Sequence, residues 1–194
     1  MTLPIEPNSA VVAAIKNRRT IHEFRSDPIA EQTFWQILDA ARWAPNHRLT
    51  EPWRLTIIGM QSRETMADAL ARRISLDGNA EAFENAKVEA RRKLTSSPIL
   101  LAVTCRIEGS AAQQAEDLAA VCAAIQNIQL AAWSQGIGSY WNTGRVTRLP
   151  ETEALLGLSD RGEELVGFLY LGYPARIPET PERRPIEEFV RQLP

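Results

Sequence analysis

Lys16-Asn17-Arg18-Arg19-Thr20-Ile21-His22-Glu23-Phe24 closes the first helical pattern of the chain and sets two guanidinium groups and a hydroxyl at one turn. Arginine's planar fork makes paired, charge-assisted bonds to phosphate oxygens, so the cluster suits a phosphate or the anionic edge of a ring. Two adjacent arginines at a helix end are, taken alone, more often a solvated surface that complements the helix dipole. On this stretch alone both readings stand. Upstream, Ser9 caps an expected helix over 10–17 whose apolar side carries Val11, Val12 and Ile15. Downstream, Asp27-Pro28 breaks the chain before an expected helix over 30–42, with Phe34, Ile37, Leu38 and Ala41 on one side.

Pro45 ends that helix, 46–51 is a polar loop, and 53–60 reads as a strand buried on both faces. Another helix starts at Ser62. The charged stretch 77–94 reads as a solvated helical excursion, stopped by Pro98 before a second strand over 99–104. The longest periodic segment, 113–135, carries Leu118, Val121, Cys122, Ile125, Ile128, Leu130 and Trp133, with alanines on its other sides. A helix so apolar belongs in a core or a subunit interface. A short strand over 139–141, a helix over 150–156 and a strand over 164–172 follow. The remainder, 174–194, holds Pro174, Pro178, Pro181 and Pro185 and reads as an extended tail pinned to a partner surface. No repeat or linker divides 1–194, which reads as one domain.

Composition excludes several function classes. Lysine and arginine number 22 against 24 acidic residues, so no basic field recruits nucleic acid. The apolar runs 99–105 and 166–171 are too short to span a membrane, and Glu6 and Asn8 break any signal-peptide profile. Cys105 and Cys122 lie in apolar runs and read as free thiols of a cytoplasmic protein. With His22 and His47 they show no metal-ligand spacing, and no residue pairs with them as a catalytic base. Gly136, Gly138 and Gly144 follow a helix rather than precede one, which excludes the dinucleotide fingerprint.

Two further constellations matter. Trp43-Ala44-Pro45-Asn46-His47-Arg48, followed by Glu51-Pro52-Trp53, is a helix stop and a polar loop feeding a strand; Trp43 and Trp53 are expected in the core. Gly138-Ser139-Tyr140-Trp141-Asn142-Thr143-Gly144 sets aromatic side chains beside small residues, which lets a flat ring approach the backbone, or else packs an edge strand.

Taken in order with the Arg183-Arg184 pair, these motifs resemble the nitroreductase family, and the Trp-x-x-Gly form at Trp141 resembles its small YdjA-type branch. The resemblance implies an α+β, nitroreductase-like fold: a central, mostly antiparallel sheet flanked by helices in an intertwined homodimer. It implies FMN as cofactor, with NADH or NADPH as co-substrate. Arg18, Arg19, Thr20 and Arg184 match the phosphate-binding places, and His22 stands where many members carry another arginine. Pro45, Asn46 and His47 match the loop that one subunit lends to flavin held mainly by the other, with Glu51 replacing the usual amide before Pro-Trp. Trp141, Asn142, Thr143 and Gly144 match the segment along the flavin, a backbone N–H near Thr143 or Gly144 tuning N5. His47, Arg48 and Trp141 are the candidate substrate contacts. The implied reaction is ping-pong hydride transfer from NAD(P)H through flavin N5 to a nitroaromatic, quinone or other electron-poor small molecule, with no side-chain acid or base required. The alternatives on the same scaffold are reductive dehalogenation, flavin fragmentation, or flavin binding without turnover.

Overall fold

The computed structural model describes residues 9–75 and 80–194. Helices α1 (Ser9–Asn17) and α2 (Glu31–Asp39) lead to strand β1 (Trp53–Ile57), helices α3 (Met60–Ile74) and α4 (Ala80–Leu94), and strand β2 (Ile99–Arg106). Helix α5 (Ala111–Ser134), β3 (Gly138–Asn142), the short α6 (Pro150–Leu156) and α7 (Leu158–Arg161), and β4 (Glu163–Gly172) complete the body. The four strands pair antiparallel in the order β1-β2-β4-β3, so β2 and β4 are central.

Side chains alternate across a strand, and both faces of the central pair are apolar. Leu101, Val103 and Cys105 of β2, with Leu169 and Leu171 of β4, pack against α2 and α5. Leu100 and Ala102, with Phe168 and Tyr170, pack against α3 and α4. Two cores therefore share one sheet, the architecture of helices flanking an antiparallel sheet. Each fully buried leucine or phenylalanine contributes about 1.5–3 kcal/mol. Helix α5 keeps Val121, Ile125 and Ile128 of its expected apolar set in the core, but alanines complete the buried stripe (Ala120, Ala124 and Ala132), while Cys122, Leu130 and Trp133 are only half buried and Leu118 lies outside it.

Three expectations change. The strand read over 53–60 ends at Ile57, and β1 is an edge strand with half-buried residues rather than one covered on both faces, because only β2 pairs with it and Met60 already opens α3. Trp43 is not core but 74% exposed: α2 tightens into a 3₁₀ turn over Ala40–Trp43, which turns the indole outward to donate to Asp39 at 3.2 Å. Val11, Val12 and Ile15, the apolar side of α1, are half exposed in the single chain.

Residues 77–79 of the expected excursion lie outside the described residues. Its described part, α4, lies on α3 with Ala90 and Leu94 buried and with ion pairs Lys87–Asp68 (3.0 Å) and Arg91–Glu64 (2.7 Å). No helix of the described residues is long and apolar enough to cross a membrane. The tail begins against its own subunit: Pro174 bridges Phe24, and the Ala175 N–H donates to Glu23 O at 2.9 Å.

Gly167 sets how closely β3 approaches β4. It lies opposite the β2 irregularity at Val103/Thr104, and a Cβ there would come 2.4 Å from Trp141 Nε1 and 2.9 Å from the Asn142 carbonyl oxygen. The carbonyl cannot rotate away, so Gly167→Ala must push β3 outward. We expect it to lower unfolding stability by about 1–3 kcal/mol, read as a fall in the urea midpoint. An unchanged midpoint would mean that β3 yields freely.

Candidate functional site

Residues 18–22 are fixed to the start of β3 by one buried side chain. Ile21 is fully buried, its N–H donates to Ser139 O at 2.9 Å, and Thr20 bridges Ser139. The approach needs glycine at 138, where a Cβ would stand 2.5 Å from Ile21 Cγ1. Gln129 of α5 donates to Ser139 Oγ at 3.1 Å, tying the turn to the main helix.

The two adjacent arginines have different surroundings. Arg19 is buried; its Nη1 donates to Lys16 O (2.8 Å) and Arg18 O (2.7 Å), and its Nη2 donates to Thr180 Oγ1 of the tail. Arg18 is half buried, and its Nη1 is buried with no hydrogen-bond partner. Burial first, then the like charges of Arg19 and Arg183, hold the Arg18 guanidinium below its ordinary pKa. A guanidinium still does not deprotonate at neutral pH. The arrangement is therefore a concentration of positive charge that an anion would relieve. The tail residue in Arg18's field is Arg183; Arg184 instead donates to Glu188 at 3.3 Å and lies over the Phe189 ring at 4.5 Å.

Beside the arginines, His22 meets Tyr140 edge-on at 4.6 Å, and Tyr140 stacks on Tyr170 at 5.4 Å. Burial pushes the Tyr170 phenol up to about 12, so it stays protonated. Trp141 Nε1 and Asn142 Nδ2 are buried without partners. Asn142 Oδ1 accepts the Gly144 N–H at 2.6 Å, so that amide is already engaged. The concavity lined by Thr20, His22, Glu23, Arg176 and Pro178 is only about 140 Å³. Larger ones, of about 700 and 470 Å³, open on the other side of Thr143 and share Arg148. Cys105 offers no nucleophile, because burial pushes its thiol up to about 11.

The loop that carries Pro45, Asn46, His47 and Arg48 is elsewhere. Asn46 donates to Ala44 O (3.1 Å) and accepts the Glu51 N–H (3.0 Å), Thr50 donates to buried Asp117 (2.6 Å), and His47 pairs with Glu116 (2.7 Å). These ties hold Arg48, Leu49 and Glu51 at positive φ (56°, 53° and 44°), a conformation that costs each of them energy. Pro45 is exposed at the base of this loop. Glu116 stands in the first half of α5, whereas Gln129, beside the arginine turn, stands in the second. At 1.5 Å per residue they are about 20 Å apart along the helix. One chain does not bring the loop and the arginine turn together.

Fold and site together define an α+β subunit whose edge strand β3 carries an anion-seeking arginine cluster at one end and a strained polar loop at the far end of its longest helix. Residues 15–173 match the Nitroreductase family, and the chain belongs to that family. It is 31% identical over 197 residues to the Bacillus subtilis protein YfhC, named as an NAD(P)H nitroreductase, spanning 99% of this chain and 98% of that one. It is 28% identical over 160 residues to Escherichia coli YdjA, named likewise, spanning 81% and 85%. Among solved structures, a nitroreductase-like family protein of Bacillus cereus superposes with a TM-score of 0.82 at 30% identity, over 98% of this chain and 99% of that one. A Desulfovibrio desulfuricans protein solved in complex with FMN shares the fold, with a TM-score of 0.71 at 22% identity over 97% and 99%.

Sequence reading passed over Arg183, choosing its neighbour, and also Arg145 and Arg148 in the turn after Gly144. Their signal was present: a second arginine pair in the tail, and two arginines one turn apart directly after the aromatic, glycine-bounded segment 138–144.

The Arg19–Thr180 bond is the described tie between the tail beyond Pro178 and the arginine turn. Thr180→Val removes the acceptor without changing side-chain shape. We expect trypsin to cut after Arg183 several-fold faster in this variant; equal rates would show that the bond holds nothing.

Proposed function

We propose that this chain is an FMN-dependent oxidoreductase that passes two electrons from NADH or NADPH to a small electron-poor acceptor such as a nitroaromatic or a quinone, and that it works as a homodimer. The observation that carries the reading is Arg18, whose Nη1 is buried without a partner in the field of Arg19 and Arg183. A doubly charged phosphate ester meets that need, and its charge would offset the mutual repulsion of the three guanidiniums. The names of YfhC and YdjA support the nicotinamide donor, and the FMN complex of the Desulfovibrio protein supports the flavin.

In this reading Arg18 and Arg183 grip the phosphate, Thr20 adds a hydroxyl, and Arg19 contributes charge while its own donors hold the turn and the tail. His22, backed by Tyr140, borders the polar edge of the ring. Trp141 and Asn142 lie on opposite faces of the edge strand, with Asn142 toward Tyr140 and Tyr170, so one of the two N–H groups, Nε1 or Nδ2, would face the ring. With the Gly144 N–H given to Asn142, the Thr143 N–H is the backbone donor that would tune the ring electrostatically. Arg184, paired with Glu188, stands outside this set. When bound, the flavin accepts hydride from the reduced nicotinamide and yields the electrons to the acceptor. The chain's own part is to bind, orient and limit water.

The same geometry supports the dimer reading. A flavin-sized ligand needs roughly 300 Å³ or more, and the concavity at Thr20 and His22 falls short of that. Pro45, Asn46, His47 and Arg48, about a helix half-length away, would complete the site from a second subunit. The half-exposed apolar side of α1 and the exposed Ile186, Phe189, Val190 and Leu193 of the tail would be covered in that assembly.

The test of function is direct. Protein reconstituted with FMN should be bleached anaerobically by NADH or NADPH and recoloured by a nitroaromatic or quinone; FMN that neither nicotinamide reduces would leave a binding protein only. We expect Arg18→Ala and Arg183→Ala each to weaken FMN retention more than about tenfold, charge-assisted contacts being worth about 1.5–3 kcal/mol, and Arg184→Ala to change it little. A reversed order would return the phosphate contact to Arg184. Light scattering after size exclusion should give twice the chain mass of 21.7 kDa; an active, flavin-retaining monomer would overturn the shared site.

A further inference from the structure

Directly beyond the Thr143-Gly144 turn lies a cavity of about 470 Å³ lined by Arg73, Thr143, Gly144, Arg145, Arg148 and Leu149. Three of its six lining residues are arginines, and none is acidic. In a chain of net charge −2 this local excess is not a reflection of composition. Several other surface arginines are paired, among them Arg25 with Asp27, Arg42 with Asp39, Arg91 with Glu64 and Arg92 with Glu89, while others unpaired among the described residues, such as Arg48, Arg72 and Arg191, do not line this hollow. Arg73, Arg145 and Arg148 make no side-chain hydrogen bond or ion pair among the described residues. The adjoining cavity, which Arg148 also lines, carries three carboxylates: Glu153 accepts from Ser159 at 2.7 Å, Glu163 accepts from Thr104 at 2.6 Å and Arg161 at 3.0 Å, and Glu164 is exposed to solvent.

The three arginines are presented from a firm base. Arg73 stands in the last turn of α3, and Arg145 and Arg148 stand one turn apart on the 3₁₀ segment Arg145–Arg148. Val146 and Leu149 are buried with Ala69 and Leu70 of α3 in one core, which locks the segment to the helix. Thr147 closes the turn, its N–H (3.0 Å) and hydroxyl (2.7 Å) both donating to Gly144 O. Three like charges held around one hollow repel one another, and only an anion reverses the sign of that interaction.

We propose that Arg73, Arg145 and Arg148 bind the pyrophosphate of the nicotinamide dinucleotide that donates electrons. The inference rests on the flavin reading above and specifies where its donor is held. Three guanidiniums from two elements exceed what a single carboxylate engages, and they suit a diphosphate with several oxygens on each phosphorus. The volume accommodates that group rather than a whole dinucleotide. Its place beside Thr143, at the end of the strand proposed to border the flavin ring, lets the attached nicotinamide reach that ring.

The test uses the FMN-loaded protein and the triple variant Arg73→Gln, Arg145→Gln, Arg148→Gln. In anaerobic rapid mixing the apparent Kd for NADH or NADPH should rise at least about tenfold, with the limiting reduction rate within about twofold. Reduction by N-benzyl-dihydronicotinamide, which has no phosphate, should be unchanged. In FMN-loaded protein, where the Arg18 site is filled, inorganic pyrophosphate should raise the thermal midpoint of the wild type and not of the variant, a readout that needs no turnover. Equal FMN content and equal midpoints without pyrophosphate show that the variant is folded and that the Arg18 site is intact. An unchanged Kd for the dinucleotides, equal impairment with the phosphate-free donor, or a wild type indifferent to pyrophosphate would each overturn the proposal. So would an effect confined to carboxylated nitroaromatics, which would assign the arginines to the acceptor. A wild type that cannot be loaded with FMN yet gains stability from pyrophosphate in an arginine-dependent way would defeat the flavin reading and leave the anion site standing.

Discussion

The rest of the molecule depends on the two-sided burial of β2 and β4. Leu100 to Cys105 and Phe168 to Leu171 are apolar on both faces, so each face must be covered by helices. That pushes the remaining pairing edges onto β1 and β3, and the arginine turn docks on one of them. β3 receives the arginine turn through Ile21 and Ser139, while the end of α5 closes over its first residues. An edge strand is usually a hazard because its backbone can recruit other chains. Here the parallel bridge from Thr20 and the close packing of Ile21 on Gly138 cover part of that edge and turn it into a site.

Adjacent arginines in one short run do two unlike jobs, and the difference is a matter of donor count. Arg19 has spent donors on Lys16, Arg18 and Thr180, so it is a brace whose charge happens to face inward. Arg18 keeps a buried donor free. Holding a cation partly out of water beside two others is unfavourable in the free protein. The buried anchor at Ile21 holds the turn in place against that repulsion, and a bound dianion would convert the penalty into affinity. The same logic applies, in a more solvated form, to Arg73, Arg145 and Arg148.

How much of this was legible follows from the length scale of each signal. The α5 stripe, the central strands and the helix stop at Pro45 were readable because periodicity and proline chemistry act over a few residues. Trp43 was misread because the 3₁₀ tightening after Asp39 rotates the face, and nothing in Ala40-Ala41-Arg42 announces it. The end of β1 at Ile57 was missed for a similar reason: an apolar Met60 continues a strand pattern as readily as it starts a helix. Choosing between Arg183 and Arg184 depends on how the tail approaches a turn some 160 residues away in sequence, and no local pattern carries that. The three arginines of the second cluster are dispersed for the same reason, with α3 contributing one and the Gly144 turn two.

The His47 loop shows what a single chain does not finish. Arg48, Leu49 and Glu51 sit at positive φ without the glycines that would make such a loop inexpensive. Thr50 and His47 fasten it to the first half of α5 at 2.6 and 2.7 Å, Asn46 braces it internally, and still Leu49 projects 81% exposed. A loop both strained and presented outward is poorly explained by the stability of its own subunit, since relaxing it would bury more and cost less. It is explained if a second copy receives it. Antiparallel apposition of two α5 helices would set the loop end of one against the arginine end of the other, closing the roughly 20 Å gap that the helix itself imposes. The exposed flank of α1 and the apolar tip of the tail then become the cover for the joint, and the same helix length that separates the half-sites within one chain fixes their spacing across two.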